Sequence, residues 1–204
     1  MKYKLNQILL DDCMNVMADI PDKYFELAIV DPPYGIGNFV QCSGNIRGSA
    51  VVWNDNIPTV YYFKELVRIA RNRIIWGANY FNCFDTGGAI VWIKNQPLHK
   101  LSQCEIASCS LHKKVASYTH TWTNYVNTRQ TSHECEKPVA LYRWLLHNYA
   151  KPGDKIIDTH SGSGSCAIAC HIEKHDFLAI EQDPDYHAAS VKRLEEVRAQ
   201  GVLF

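Results

Sequence analysis

The chain has 204 residues, 47% of them apolar and 21% charged, which is an ordinary balance for a globular protein with one sizeable core. Its 21 basic residues cancel its 21 acidic ones, which excludes a polycation that would bind nucleic acid through net charge alone. The sequence contains no apolar run near the ~20 residues that cross a bilayer, so we expect no membrane partner and a cytoplasmic location.

The first half of the chain alternates apolar strand segments with helical segments. Strands are predicted at residues 8–10, 25–30, 74–76 and 89–93, and helices at 13–20 and 60–72. Residues 35–58 are rich in Gly, Asn and Ser and predict a long loop, a length that usually means function or disorder. Two interrupted β-segments are predicted at 105–111 and 115–125.

The second half has a βαβ pattern. A helix over 138–150 begins at Pro138 and leads to a strand at 155–158. A glycine-rich bend, a helix at 165–174, a strand at 177–181 and a helix at 185–200 follow. The whole alternation predicts an α/β fold in one domain.

Eight cysteines are scattered through the chain. The polar start at residues 1–4 does not resemble a secretory segment, so we expect free thiols in a reducing cytoplasm. An alternative is a zinc site formed by two histidines and two cysteines: His99, Cys104, Cys109 and His112. Their spacing fits no Cys-x-x-Cys pattern. We expect no bound metal.

The motif Asp31-Pro32-Pro33-Tyr34 comes directly after the predicted strand at 25–30. Open α/β sheets bind their ligands at such strand ends. The two prolines keep Asp31 out of helical geometry and remove two N–H donors, which leaves carbonyl groups available as acceptors. An aspartate, an available carbonyl and a flat ring suit a planar amino group.

A second motif runs from Asp158 to Gly164, where a strand enters a glycine bend before a helix. Such a bend lets a ligand approach backbone amides closely, but alone it is weakly diagnostic. Glu181 ends the next strand, where an acid binds the ribose hydroxyls of a nucleoside. Together they predict a cofactor that contains a nucleoside.

In this order the two motifs resemble the amino-group DNA methyltransferases that use S-adenosylmethionine, with the catalytic tetrapeptide ahead of the cofactor motif. The resemblance runs from about residue 9 to 194 and includes residues 76–81, 91–94 and 133–138 and Tyr186. It implies a Rossmann-like methyltransferase fold with a mostly parallel central sheet and helices on both faces. Its halves would be catalytic (about 1–97) and cofactor-binding (about 133–204), around a short target-recognition insert (about 98–132).

The resemblance also implies residue roles. The catalytic residues would be Asp31, Pro32, Pro33 and Tyr34. The cofactor would be bound by the acids Asp12, Asp31, Asp158 and Glu181, by Lys137, and by the bend residues Ser161, Gly162, Ser163 and Gly164. Asp12 would accept from the adenine amino group, Glu181 would bind the ribose, and Lys137 with Pro138 would close over the methionine moiety. His160, Thr159 and Cys135-Glu136 depart from the usual Phe, Pro and Thr-Gln.

The expected reaction is site-specific methylation of adenine N6 in double-stranded DNA, by direct attack of the amino group of a flipped base. Asp31 and the Pro32 carbonyl would orient that amine, and Tyr34 would stack on the base. Aspartate at the first position favours adenine over cytosine N4 within the family. The alternatives are an N4-cytosine enzyme, methylation of an RNA base or small molecule, and a degenerate subunit that only binds nucleic acid or cofactor.

The predicted DNA contact is a locally basic stretch from Lys94 to Arg129, in which Glu105 is the single acid. Its five basic residues are Lys94, Lys100, Lys113, Lys114 and Arg129. The stretch is short for a recognition domain. We therefore expect few specifically contacted base pairs, or a partner subunit in a homodimer. A bacterial or phage origin and a role in restriction-modification are the biological setting that the resemblance implies.

Overall fold

The computed structural model describes residues 1–35, 57–84, 87–95, 102–121 and 136–201. Its strands are Gln7–Leu10 (β1), Phe25–Val30 (β2), Ala70–Trp76 (β3), Ala89–Ile93 (β4), Cys104–Cys109 (β5), Val115–Thr119 (β6), Ile156–Asp158 (β7) and Phe177–Glu181 (β8). Its helices are Cys13–Ala18 (α1), Val60–Ile69 (α2), Ala78–Phe81 (α3), Val139–Tyr149 (α4), Ser165–Ile172 (α5) and Pro184–Ala199 (α6). None of the described helices is long and apolar enough to span a membrane.

The described strands form one sheet in the order β1-β8-β7-β2-β3-β5-β4-β6. β5 pairs antiparallel with both β3 and β4, whereas the other neighbouring pairs are parallel. Parallel neighbours need crossover connections, and α1, α2, α4, α5 and α6 alternate with the strands along the chain. The predicted α/β fold with a mostly parallel sheet is confirmed.

Hydrophobic helix faces cover both sides of the sheet. On one side α4, α5 and α6 pack residues such as Leu145 and Ile168 against strand residues that include Leu27 and Ile29. On the other side α1 and α2 pack Met17, Leu66 and their neighbours against Ala28 and Val30. Successive residues of β2 thus face opposite cores, and this is why the strand is continuously apolar from Leu27 to Val30.

Local sequence patterns gave most elements within a few residues. β2, β4 and β8 have their predicted bounds. The helix predicted over 60–72 was too long, because it ends at Ile69 and the next residues begin β3. Ala70 and Asn72 pair with Phe25 and Leu27 of β2, and this tertiary pairing overrides a locally helical pattern.

The predicted long loop at 35–58 lies outside the described residues except at its ends. Within the predicted target-recognition insert, β5 and β6 are strands of the central sheet, on either side of β4. The division of the chain into two halves and an insert stays a prediction.

Candidate active site

The site lies where the order of strands along the sheet reverses. From β7 the chain crosses to β8 in one direction, and from β2 it crosses to β3 in the other. β7 and β2 are themselves parallel neighbours, with Leu27 opposite Ile156 and Ala28 opposite Ile157. Their carboxyl ends therefore bring Asp31 and Asp158 to one crevice, the position where open α/β sheets bind ligands.

Tyr34 folds back over its own turn. Its hydroxyl donates a 2.5 Å hydrogen bond to Asp31 Oδ1, and its ring stacks on Tyr80 with centroids 4.9 Å apart and planes 16° apart. Gly77 makes this close approach feasible, because a Cβ there would lie 2.3 Å from the Tyr34 ring. Tyr80 comes from α3, a four-residue helix with no hydrophobic period that sequence analysis did not find.

Lys137 reaches the Asp31 carboxylate from the segment before α4. Its Nζ donates to Asp31 Oδ2, to Glu105 Oε2 at 2.9 Å and to the Tyr34 hydroxyl at 3.2 Å. The residue is only 5% exposed. Burial alone would lower the pKa of this ammonium, but the Asp31 and Glu105 carboxylates raise it well above its usual range. The sequence-predicted cofactor residue thus contacts the tetrapeptide directly.

Glu105, in β5, is a member of the site that sequence analysis missed. Its Oε1 accepts a 2.6 Å ion pair from Lys94, and its Oε2 pairs with Lys137. Burial opposes ionisation of this carboxyl, but the two lysines lower its pKa well below its usual range. The only signal in the sequence is a lone acid in a basic stretch.

The glycine bend is held by the acid that was predicted to bind ribose. Glu181 Oε2 accepts from the Gly162 amide at 2.7 Å, and its Oε1 accepts from the Asp183 amide at 2.9 Å. Gly164 has φ +77°, and a Cβ there would lie 3.0 Å from Ser190 Cβ. Ser161 Oγ is buried and has no hydrogen-bond partner among the described residues. An orphaned hydroxyl in a glycine bend fits a polar ligand group.

Burial favours the uncharged forms of the Asp158 and His160 side chains. Asp158 is 4% exposed, and burial raises the pKa of its carboxyl to about 7 although the His160 amide donates to it at 3.1 Å. Burial lowers the pKa of His160 to about 4, so its imidazole is neutral at physiological pH. Its Nδ1 lies 2.9 Å from Thr159 Oγ1, which lies 2.7 Å from the Tyr62 hydroxyl.

Asp12 stands at the same edge of the sheet. It is the N-cap of α1, where its Oδ1 accepts from the Met14 amide at 2.7 Å, and it comes two residues after Leu10, which pairs with Glu181. Its predicted role in cofactor binding stays a prediction.

Arg193 of α6 is a second residue that sequence analysis missed. It pairs with Glu136 at 2.6 Å and donates to the Ser163 carbonyl and the Ser165 hydroxyl, each at 3.1 Å. It therefore ties the segment before Lys137 to the glycine bend.

The described lysines of the predicted DNA contact do not all lie at the crevice, and their contact with DNA stays a prediction. Lys113 and Lys114 precede β6 at the amino edge of the sheet, opposite the crevice, because β5 runs antiparallel to its neighbours. Lys94 lies at the crevice edge, but it pairs with Glu105. Lys100 and Arg129 lie outside the described residues.

Comparison with known proteins agrees with this geometry. Residues 51–192 match the family model described as DNA methylase. The chain is 24% identical to type II methyltransferase M2.MboI of Moraxella bovis, over 91% of this chain and 86% of that protein. The family match begins after Tyr34, so the catalytic role of the tetrapeptide stays a prediction.

Two solved structures share the fold. The M1.HpyAVI–SAM complex superposes with a TM-score of 0.62 at 20% identity, covering 92% of this chain and 98% of the other. The PvuII DNA methyltransferase, described as cytosine-N4-specific, also gives a TM-score of 0.62, at 11% identity and coverages of 95% and 91%. The predicted Rossmann-like methyltransferase fold is thereby confirmed.

Proposed function

Because the chain belongs to the family of N6/N4 DNA methylases, with S-adenosylmethionine as methyl donor, we propose that it methylates adenine N6 in double-stranded DNA. The observation that carries the proposal is the meeting of Asp31 and Asp158 at the ends of two paired parallel strands. One motif suits an amino group and the other suits a nucleoside cofactor, and both face the same crevice.

The methyl donor fits the cofactor half of the crevice. Ser161 Oγ supplies a buried hydroxyl without a partner among the described residues, and Gly162 beside it is partly exposed. We assign Asp158 and the bend from Ser161 to Gly164 to the methionine end, Glu181 to the ribose and Asp12 to the adenine amino group. When bound, the donor supplies the methyl carbon, which bonds to the amine nitrogen as its bond to sulfur breaks and S-adenosylhomocysteine and a proton are released.

Asp31 and the Pro32 carbonyl have the task of making a poor nucleophile attack. The lone pair of an exocyclic amine is delocalised into the base. Two acceptors outside the ring plane draw its N–H bonds out of that plane, which gives the nitrogen sp³ character and turns the lone pair toward the methyl carbon. Pro32 and Pro33 have no N–H, so their backbone offers no donor that would compete with the amine. The proton released after methylation passes to water.

Tyr34 is the proposed platform for the flipped base. Extrusion costs a few kcal/mol of unstacking, which a new aromatic stack partly offsets. One face of the Tyr34 ring already lies against Tyr80, which is 41% exposed. A base that takes this face therefore displaces the Tyr80 ring, and the exposure of Tyr80 leaves it room to turn outward.

Adenine is preferred to cytosine because the tetrapeptide begins with aspartate. The N4-cytosine enzyme is the second candidate, since the PvuII enzyme described as cytosine-N4-specific shares the fold to the same TM-score as M1.HpyAVI. The type II methyltransferase among the relatives supports a role in restriction-modification. A homodimer stays a prediction.

One assay tests the proposal. Wild-type protein and Asp31→Ala are incubated with S-adenosylmethionine labelled with tritium in its methyl group and with unmethylated duplex DNA, and the labelled nucleosides are separated. We expect label in N6-methyladenine that Asp31→Ala loses. Label in N4-methylcytosine would support the second candidate. Cofactor binding without transfer to any base would identify a degenerate binding subunit.

A further inference from the structure

We propose that Glu105 is a positioning residue for the methyl-transfer site, acting on Asp31 through the Lys137 ammonium. This inference rests on the proposed function of the Asp31-to-Tyr34 turn. Glu105 lies on β5, far along the chain from Asp31, and belongs to neither of the two motifs predicted from the sequence. From the antiparallel part of the sheet, its carboxylate reaches the Lys137 ammonium, which contacts the tetrapeptide.

The Lys137 ammonium has three N–H donors, and the structure gives it three acceptors. They are Asp31 Oδ2, Glu105 Oε2 and the Tyr34 hydroxyl. Tyr34 in turn donates its own proton to Asp31 Oδ1 at 2.5 Å, and its hydroxyl oxygen also lies 3.4 Å from Glu105 Oε2. Both oxygens of Asp31 are therefore held by groups whose positions depend on where the ammonium lies.

Glu105 is the acceptor that fixes the ammonium from outside the turn. Its strand is paired with β3 through Trp76 opposite Ala107, and the Gly77 amide donates to the Ile106 carbonyl at 3.0 Å. Because β5 is in the interior of the sheet, its position does not follow the Asp31 turn when a ligand binds. Lys94 holds the other oxygen of Glu105 at 2.6 Å and limits its rotation.

The charges explain why a second carboxylate is needed. A buried ammonium with Asp31 as its sole carboxylate partner would concentrate its attraction on the group that must accept the N–H of the base. Glu105 divides that attraction, and with Lys94 it makes a balanced set of two carboxylates and two ammonium groups. Asp31 thereby keeps a fixed orientation while its remaining lone pairs stay available to the amine.

Glu105→Gln tests the proposal, and Glu26→Gln is its matched control. Glu26 is a half-buried glutamate that also pairs with two cations, Lys155 at 3.0 Å and Arg71 at 3.9 Å, but it lies at the opposite end of β2 from Asp31. We expect Glu105→Gln to lower kcat for transfer to DNA by about 10- to 100-fold, with the Kd for S-adenosylmethionine within about twofold. Glu26→Gln should retain wild-type kcat.

A double-mutant cycle with Lys137→Met separates positioning from a general packing role. If Glu105 acts through Lys137, Glu105→Gln has little further effect on kcat in the Lys137→Met background. Independent, multiplying losses in the cycle would overturn the proposal, as would an unchanged kcat in Glu105→Gln alone.

A readout that needs no transfer keeps the proposal separable from the proposed function. In protein labelled with [ε-¹³C]lysine, the Lys137 signal is assigned by its absence in Lys137→Met. We expect Glu105→Gln to change the chemical shift of that signal at neutral pH, because the ammonium loses one of its carboxylate partners, and Glu26→Gln to leave it in place. An unchanged chemical shift in Glu105→Gln overturns the anchoring of Lys137. Absence of transfer by wild-type protein together with the expected shift rejects the proposed function but not the anchoring.

Discussion

The Lys137 side chain pairs with the Asp31 carboxylate across 106 residues of sequence. Lys137 precedes α4 and Asp31 begins the Asp31-to-Tyr34 turn, so an ion pair joins the two segments to which we assign cofactor binding and catalysis. The segment before α4 can thus affect the orientation of the Asp31 carboxylate.

Lys137→Met is expected to abolish most transfer and to destabilise the fold. Removing the ammonium leaves the Asp31 carboxylate without its cation in a largely buried site, and such broken pairs cost about 3–5 kcal/mol. Urea unfolding of the two proteins measures the difference. Lys192→Met, at an exposed position of α6, should change the free energy of unfolding by less than about 0.5 kcal/mol. Equal stability of Lys137→Met and wild type would contradict the buried pair.

Gly77→Ala is expected to disrupt the Tyr34 stack and reduce transfer. A Cβ at this position would lie 2.3 Å from the Tyr34 ring, and the backbone has φ +74°. Gly87→Ala is the matched control, because Gly87 has the same φ and a Cβ there would meet nothing within 4 Å. Both variants bear about 1–2 kcal/mol of left-handed strain, but only Gly77→Ala should also lose kcat. Equal kcat in the two variants would argue against a role for the Tyr34 position.

Ionisation of the buried Asp158 carboxyl should lower the free energy of unfolding as the pH rises from about 4 to about 7. The unfolded carboxyl ionises near its ordinary pKa, whereas in the folded protein burial raises the pKa to about 7. Between these values the folded state binds the extra proton, so stability falls by about 1.4 kcal/mol per pH unit at most and levels off above pH 7. Chemical unfolding of wild type and Asp158→Asn across this range checks the slope, which should be missing from the variant.

His160→Phe is expected to leave the Kd for S-adenosylmethionine within about threefold of wild type. Since the pKa of His160 is about 4, its ring is already uncharged at neutral pH, and phenylalanine keeps its edge contact with Tyr62. The Thr159 hydroxyl keeps its bond to the Tyr62 hydroxyl after the change. Calorimetric titration with the cofactor measures the effect. A tenfold or greater loss of affinity would mean that the imidazole nitrogen itself binds the ligand.

The architecture was largely predictable, because β2 and β8 each contain four consecutive apolar residues, Leu27 to Val30 and Phe177 to Ile180, with turn residues beyond both ends of the strand. What local pattern could not give was the end of α2, since Ala70 becomes extended only through its pairing with Phe25. The four-residue α3 was also missed, although it supplies Tyr80, because so short a helix has no measurable period.

Some residues of the candidate site were predictable from the sequence and others were not. Asp31, Asp158 and Glu181 were predictable because each ends a recognisable strand, and the parallel sheet brings those ends together. Glu105 and Arg193 were not, because their importance arises from contacts with residues distant in sequence. The charge of Glu105 was counted in the basic stretch, but only the antiparallel course of β5 brings it beneath Lys137.

The pairing of β1 with β8 has a consequence for how such a gene can be rearranged. Arg198 donates to the Asn6 carbonyl at 2.7 Å, so the beginning of the first strand lies beside the last helix. A short linker could join these regions, and the chain could instead open at the exposed turn around Gly153. The crevice is assembled from strand ends and not from chain order. Genes that encode the segments before and after Gly153 in either order can therefore yield the same three-dimensional site.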